Sequence, residues 1–247
     1  MNLDRIIAEG NKKTIYQDQA KIVKVFDQSY SKTDVFREVF NHTSVEDISV
    51  KVPKLLEVTN VDGKWAIVCE FAGEKTLQNL IDENPSKKEE YLEVLVNVQN
   101  KIFENESTQL NGLKEVLHDK IRLTNFSATT RYALHNNIDA MPRSYTVCHG
   151  NLNPSNVIVA DNGEIYVIGW AHATSGYSIA DVAKTYLLLL LEDSKETAEK
   201  YLEIFLNGAS VEKADIDKVI AVIAATEIIN YSDNKKEILL SLVNEEY

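Results

Sequence analysis

His149, Gly150, Asn151, Asn153, Ser155 and Asn156 fall within one short run, HGNLNPSN, of a 247-residue chain. An imidazole, amides and a hydroxyl this close together can pin a loop by hydrogen bonds or present donors and acceptors to a bound polar molecule. The run is too polar for a strand interior, and Gly150 and Pro154 punctuate it as a loop. Thr146-Val147-Cys148 leads into it as a short apolar strand. Val157-Ile158-Val159 leaves it as a β-branched run, Asp161-Asn162-Gly163 turns the chain, and Glu164 to Gly169 returns as a second strand. Such a hairpin sets its loop beside the end of its return strand, so polar groups at both places can converge on one ligand. Taken singly, His149 reads as a satisfied core histidine and Asn151 as a loop-capping amide.

The stretch from Val147 to Trp170 resembles the catalytic segment of the aminoglycoside phosphotransferase and choline kinase family, relatives of the protein kinases. That family carries His-Gly-Asp, an Asn five residues after the Asp, and a hairpin ending in Ile-Asp-Trp. Here His149-Gly150, Asn156, Ile168 and Trp170 are in register, but Asn151 and Gly169 stand where the two Asp residues belong. The resemblance implies that Asn151 occupies the position of the catalytic base and Gly169 that of the main magnesium ligand. It also implies that Asn156 is a further metal ligand, that His149 braces the loop, and that Asp181 on the following helix anchors the loop backbone.

Phosphoryl transfer to a hydroxyl needs the phosphates held, their charge neutralised by metal, and the acceptor positioned and relieved of its proton. An amide at 151 can still hydrogen-bond an acceptor hydroxyl, but it cannot take a proton. Loss of a positioned base is worth about 10²–10⁴ in rate. A glycine at 169 removes a direct carboxylate ligand, and Asn156 alone is a poor magnesium site, because magnesium generally takes one or two carboxylates plus phosphates. The expectation is very low or no transfer. Asn153 and Ser155 either face the acceptor or cap backbone groups. His172 either approaches the phosphates or is structural. Asp161 and Glu164, at the far turn of the hairpin, do not replace the missing acids.

The elements that must position this loop begin with strands over 6–10, 14–16 and 21–26, with turns at Asn11-Lys12-Lys13 and Gln17-Asp18-Gln19. Gly10 is the one glycine near the first turn, so the turn is a weak phosphate loop and on its own reads as an ordinary hairpin. Lys24 lies between Val23 and Val25, and a buried ammonium needs a partner; the alternative is an edge-strand lysine that snorkels to solvent. Thr33 to Glu46 reads as a helix with Val35, Phe36, Val39 and Phe40 on one face. By resemblance Lys24 contacts the nucleotide phosphates and pairs with a helix glutamate, with Glu38 the first candidate and Glu46 the second.

Strands over 52–56 and 66–71 flank a turn at 60–63. Glu70-Phe71-Ala72-Gly73 then resembles the family's connector between lobes, which implies that Glu70, Phe71 and Ala72 meet the adenine. Helices follow over 76–83, from a capping box at Ser86 and Glu89 to about 104, as one or two segments over 113–136, and over 178–192, 195–207, 211–231 and 232–242. The resemblance covers essentially the whole chain. It implies an α+β, protein-kinase-like two-lobe fold, with a small antiparallel-sheet N-lobe over 1–73 and a larger helical C-lobe over 74–247. The N-lobe would bind nucleotide, and the C-lobe carries the catalytic-type loop over 147–170.

Composition narrows the partners. With 38 acidic against 26 basic residues the formal charge is −12, which argues against a nucleic-acid surface. It suits ordinary solubility or a cationic small substrate. Cys69 and Cys148 sit in apolar runs and read as buried thiols in a reducing compartment. The N-terminal MNLDRIIAEGNKK lacks the apolar core of a secretory signal, and no apolar run approaches a membrane span, so the expectation is a cytoplasmic protein. The parent reaction implied is transfer of the γ-phosphoryl group of ATP or GTP, with Mg2+ weakened by Gly169, to a small hydroxyl-bearing molecule. The alternatives are a pseudokinase-like nucleotide- or ligand-binding regulatory protein, and an interaction protein that keeps only the fold. Both losses fall on the two catalytic positions while Asn156, Trp170 and Asp181 remain, which points to selective loss of chemistry over general drift.

Overall fold

A computed structural model of the chain describes residues 3–10 and 12–244, so the expected turn residue Asn11 lies outside the described residues. The first part is a five-stranded antiparallel sheet with one helix against it. Its elements are β1 (Arg5–Gly10), β2 (Lys13–Asp18), β3 (Lys21–Phe26), α1 (Lys32–Thr43), β4 (Leu55–Val61) and β5 (Lys64–Glu70). The spatial order is β1-β2-β3-β5-β4, which makes β3 central.

Alternation along β3 divides its side chains between two faces. Val23 and Val25 pack with Ala66 and Val68 on one face. Phe26 packs with Ile67 and Val35 on the other, against α1. Lys24 shares that second face by alternation.

Three local expectations are corrected. The strand expected over 52–56 is a lead-in, and β4 starts at Leu55. Pro53 has no N–H for a ladder, its carbonyl meets His42 Nε2 at 2.7 Å, and the Leu55 N–H donates to Glu46 Oε1 at 2.7 Å. The helix expected over 33–46 ends at Thr43, and its buried residues are Val35, Glu38 and Asn41. Phe36 and Phe40, expected on the buried face, are 44% and 48% exposed; Phe36 lies edge-on to Trp65.

The rest is largely helical: β6 (Lys75–Thr76), α2 (Leu77–Glu83), α3 (Lys88–Phe103), α4 (Leu113–Arg122) and α5 (Ala128–Ala140) lead to the loop. Then come β7 (Val147–Cys148), β8 (Val157–Val159), β9 (Ile165–Val167), β10 (Thr174–Ser175), α6 (Ser178–Glu192), α7 (Lys195–Gly208), α8 (Lys213–Glu227) and α9 (Asp233–Asn244). The return strand expected to reach Gly169 stops at Val167. The capping box expected at Ser86 and Glu89 is not formed; a single 3-10 turn at Pro85–Lys87 precedes α3. The capping box lies one helix earlier, where Thr76 and Asn79 cap α2 reciprocally.

The largest apolar cluster runs through these helices and closes around Val147, Leu152, Val157, Val167 and Trp170, so both flanks of the polar loop are set in core. The hairpin pairs β8 with both β9 and β6, tying the loop to the start of the helical part. No helix among the described residues is long and apolar enough to cross a membrane.

Candidate active site

The loop after β7 turns at Gly150, whose φ is +73°, a region L side chains rarely adopt. A Cβ there would collide with the His172 carbonyl oxygen, so only glycine lets the loop lie against the segment that follows the hairpin. His149 is fully buried with its ring 4.4 Å from that of Trp170. Its Nε2 meets the Ile168 carbonyl at 3.0 Å, and its Nδ1 accepts the Asn151 N–H at 3.2 Å. Burial pulls its pKa down to about 4, against the Ile168 bond that raises it, so the ring is neutral, with its proton on Nε2. One uncharged imidazole therefore joins the loop to the end of the return strand.

Asp181, in the first turn of α6, holds the loop from below. Its Oδ1 accepts the Gly150 N–H at 2.6 Å, and its Oδ2 accepts from Gln99 Nε2 at 3.2 Å. Burial raises its pKa, opposed by the Gly150 N–H and the Gln99 amide. Gln99 in turn bonds Thr185 Oγ1 at 3.1 Å and the Tyr201 hydroxyl, and Thr185 donates to the Leu152 carbonyl at 3.0 Å. This buried network from α3, α6 and α7 fixes the loop backbone at two points.

Asn151, Asn156 and Gly169 come together. Asn156 Nδ2 donates to the Asn151 carbonyl at 2.8 Å. Gly169 has φ +86°, and a Cβ there would lie 2.8 Å from Asn156 Oδ1. The space a side chain at 169 would enter is taken by an uncharged amide. Asn153 caps the loop, accepting the Ser155 N–H at 2.9 Å and donating to the Asn151 carbonyl at 3.1 Å. Among the described residues no group of three or more His, Cys, Asp or Glu side chains is placed to hold a metal ion. The donors present do not fit magnesium, which calls for carboxylates.

On the sheet, Lys24 pairs with Glu38 of α1, which is only 5% exposed. Burial pushes the Glu38 carboxyl up, but Lys24 outweighs it and the net pKa is lowered. Glu46 lies elsewhere, on the Leu55 N–H and 3.7 Å from His42. Lys13, absent from the sequence-based candidates, sits on the same face of the sheet: it pairs with Phe26, two residues beyond Lys24. Its pKa is lowered by desolvation and by Lys24, with Glu38 acting the other way. The signal available in sequence was its parity with Lys24 across a two-residue hairpin. At the connector, the Phe71 N–H donates to the Ala20 carbonyl at 3.0 Å and is not available to a ligand. Ala72 is buried, and Glu70 Oε2 accepts the Lys54 N–H at 3.2 Å.

Asn151 and Ser155 line an open cleft of about 1000 Å³. Across it stand Asp82 of α2, Glu192 and Asp193 at the end of α6, and Lys88. Lys88 pairs with Asp193 at 2.7 Å, and Lys235 pairs with Glu192 at 2.7 Å. These acids come from two distant stretches and carry no motif, so the sequence alone does not mark them.

The description of the phosphotransferase enzyme family known as APH matches residues 7–215. No curated protein matches the chain by sequence. Several solved structures share its fold. Aminoglycoside phosphotransferase APH(4)-Ia aligns over 99% of this chain and 93% of its own, with TM-score 0.70 at 10% identity. The GDP complex of wild-type aminoglycoside 2'-phosphotransferase-IIIa aligns over 99% and 93%, with TM-score 0.62 at 12% identity. A choline/ethanolamine kinase family protein from Mesorhizobium loti aligns over 98% and 88%, with TM-score 0.62 at 11% identity. The α+β architecture, an antiparallel sheet followed by a helical part, is the kinase-like fold of these structures.

Proposed function

The chain belongs to the phosphotransferase enzyme family, and on that premise we propose that it is an aminoglycoside phosphotransferase- or choline kinase-like protein with phosphoryl-transfer chemistry impaired at two positions. Residues 1–73 form the nucleotide-binding lobe, and 74–247 the lobe that carries the loop and the acceptor. ATP or GTP lies against the face of the sheet that carries Lys24 and Lys13. Lys24, oriented by Glu38, and Lys13 meet its phosphates. The Glu70 carbonyl and the Ala72 backbone meet the base, since the Phe71 N–H is already bonded. GDP bound to a structure of this fold supports a nucleotide here.

The acceptor, a small hydroxyl-bearing molecule, lies in the cleft beside Asn151. Three carboxylates line that cleft; Lys88 and Lys235 pair with Asp193 and Glu192, and Asp82, whose partner among the described residues is only the Gln78 amide, supports a cationic acceptor.

The observation that carries the reading is the convergence of Asn151, Asn156 and Gly169 on a loop whose brace and anchor are intact. His149 and Asp181 still shape the loop, and Asn151 can accept or donate a hydrogen bond to the acceptor. It cannot remove the proton. Gly169 and Asn156 offer no carboxylate to a metal, so charge on the phosphates is met by lysines alone.

The same three residues support a second reading, a nucleotide- or ligand-binding regulatory protein that signals by occupancy. Introducing Asn151→Asp together with Gly169→Asp separates the two. Phosphoryl transfer to a panel of amino alcohols, sugars and aminoglycosides, or ATP hydrolysis, is expected from the double variant. A folded, nucleotide-binding double variant with no transfer would remove the enzyme reading and leave the regulatory one.

A further inference from the structure

A second cavity, of about 150 Å³, shares no lining residue with the acceptor cleft. It lies where α1 of the sheet part meets α4, α6, α8 and the segment after the hairpin. Its wall is charged. Glu227, 5% exposed at the end of α8, accepts Lys120 Nζ at 2.7 Å on one oxygen and Lys184 Nζ at 2.5 Å on the other. The second oxygen also takes Asn230 Nδ2 at 3.0 Å. One carboxylate thus serves two ammoniums, each with three N–H donors. Arg37 also reaches the wall, but it is paired with Asp34 at 2.9 Å. Asp181 is the other acid there, but its oxygens are engaged by the Gly150 N–H and by Gln99.

Two further polar atoms in this wall have no protein partner. They are Thr174 Oγ1 and Asn41 Oδ1, on residues 6% and 3% exposed. Buried polar atoms left unpaired are costly and call for a partner, an ordered water or a bound group. Donors outnumber acceptors: ammonium N–H groups and a threonine hydroxyl face one unpaired amide oxygen. Loading the wall with cations also works against protonating His172. Its pKa is lowered by desolvation first and then by Lys120 and Lys184.

We propose that this cavity is a binding site for a small oxyanion, a phosphate or carboxylate group held by Lys120, Lys184 and the Thr174 hydroxyl. Asn41 Oδ1 then accepts a hydrogen bond from the ligand, such as from the O–H of hydrogenphosphate or a hydroxyl beside a carboxylate. Because Asn41 also donates to the Ala171 carbonyl at 2.9 Å, the bound anion ties α1 to the helices of the second lobe from behind the loop. The cavity shares Gly150 and Asp181 with the anchor of the loop but none of the residues proposed to contact nucleotide or acceptor, so its test does not rest on those contacts.

The test is thermal unfolding and calorimetric titration of the full chain with inorganic phosphate, and separately with acetate, against chloride at matched ionic strength. Saturable binding to one site with a rising Tm is expected, and the two arms tell a phosphate preference from a carboxylate one. Lys184→Gln should weaken binding about tenfold or more, the scale of a lost charge-assisted hydrogen bond. Glu227→Gln, which removes the competing carboxylate, should tighten it. Lys101→Gln, at an exposed position outside both cavities, should leave phosphate binding unchanged. Where Lys184→Gln fails to fold, Thr174→Val serves, with weaker binding expected. Absence of saturable binding by both anions overturns the proposal, as does binding that the cavity variants leave unchanged.

Discussion

Above pH 6 the His149 ring is neutral in the fold, because full burial pulls its pKa down to about 4. An unfolded histidine binds its proton near pH 6.5. The unfolded chain therefore takes up a proton that the folded one refuses. Stability from the neutral ring is complete above the unfolded value and is lost as pH falls toward 4, by up to about 3 kcal/mol. Glu227 adds a loss at lower pH. Its carboxyl, pushed up by burial but held down more strongly by Lys184 and Lys120, sits at about 2 against an ordinary 4.5, so its contribution is lost as pH falls through that window. Denaturant unfolding across a pH series should show both steps, and His149→Gln should be less stable at pH 7 but flatter between 6.5 and 4. Glycines give a second test at this scale. Gly150→Ala would drive a Cβ into the His172 carbonyl at positive φ, and a loss of about 2 kcal/mol or more is expected by denaturant melts. Gly169→Asp is the milder change. Its φ of +86° suits aspartate better than most residues, and the obstacle is a side-chain amide that can turn away.

Among the elements, β3 and α1 act as one unit through Lys24 and Glu38. Lys24→Met strands a buried carboxylate and should cost about 3 kcal/mol. Adding Glu38→Leu should recover most of it, a coupling that a double-mutant cycle reads directly. An outcome in which the two substitutions simply add would make Lys24 an ordinary strand lysine.

This pair also shows what the sequence made legible. A lysine inside a β-branched run demands a partner, and a glutamate on the next helix is the available one. The price was the helix face: Glu38 and Asn41 take buried positions that an apolar pattern assigns to Phe36 and Phe40. The hairpin and its loop were readable because Gly150, Pro154 and Asn162-Gly163 have conformational meanings that do not depend on distant contacts. The start of α3 was not, since Ser86 lies within a 3-10 turn opened by Pro85.

Across the whole molecule, the strand-rich first part and the helical remainder are legible from local patterns together with the family resemblance, while the two cavities are not. Lys120 and Glu227 are 107 positions apart, and Asn41 reaches Ala171 across 130. No local pattern records such meetings; only the packing of α1 against α4, α6 and α8 creates them. The same holds for Asp82, Glu192 and Asp193 opposite Asn151. What the whole fold holds is a loop braced by His149 and anchored by Asp181, with Asn151, Asn156 and Gly169 brought together; under the proposed function an amide and a glycine stand there where phosphoryl transfer needs acids. Calorimetric titration of the unaltered chain with ATP, with and without magnesium, tests this most directly. Binding of similar affinity in both conditions, weakened by Lys24→Met, is the predicted result. Binding that tightens strongly with magnesium would contradict it, because a carboxylate would then have to complete a metal site that the loop does not contain.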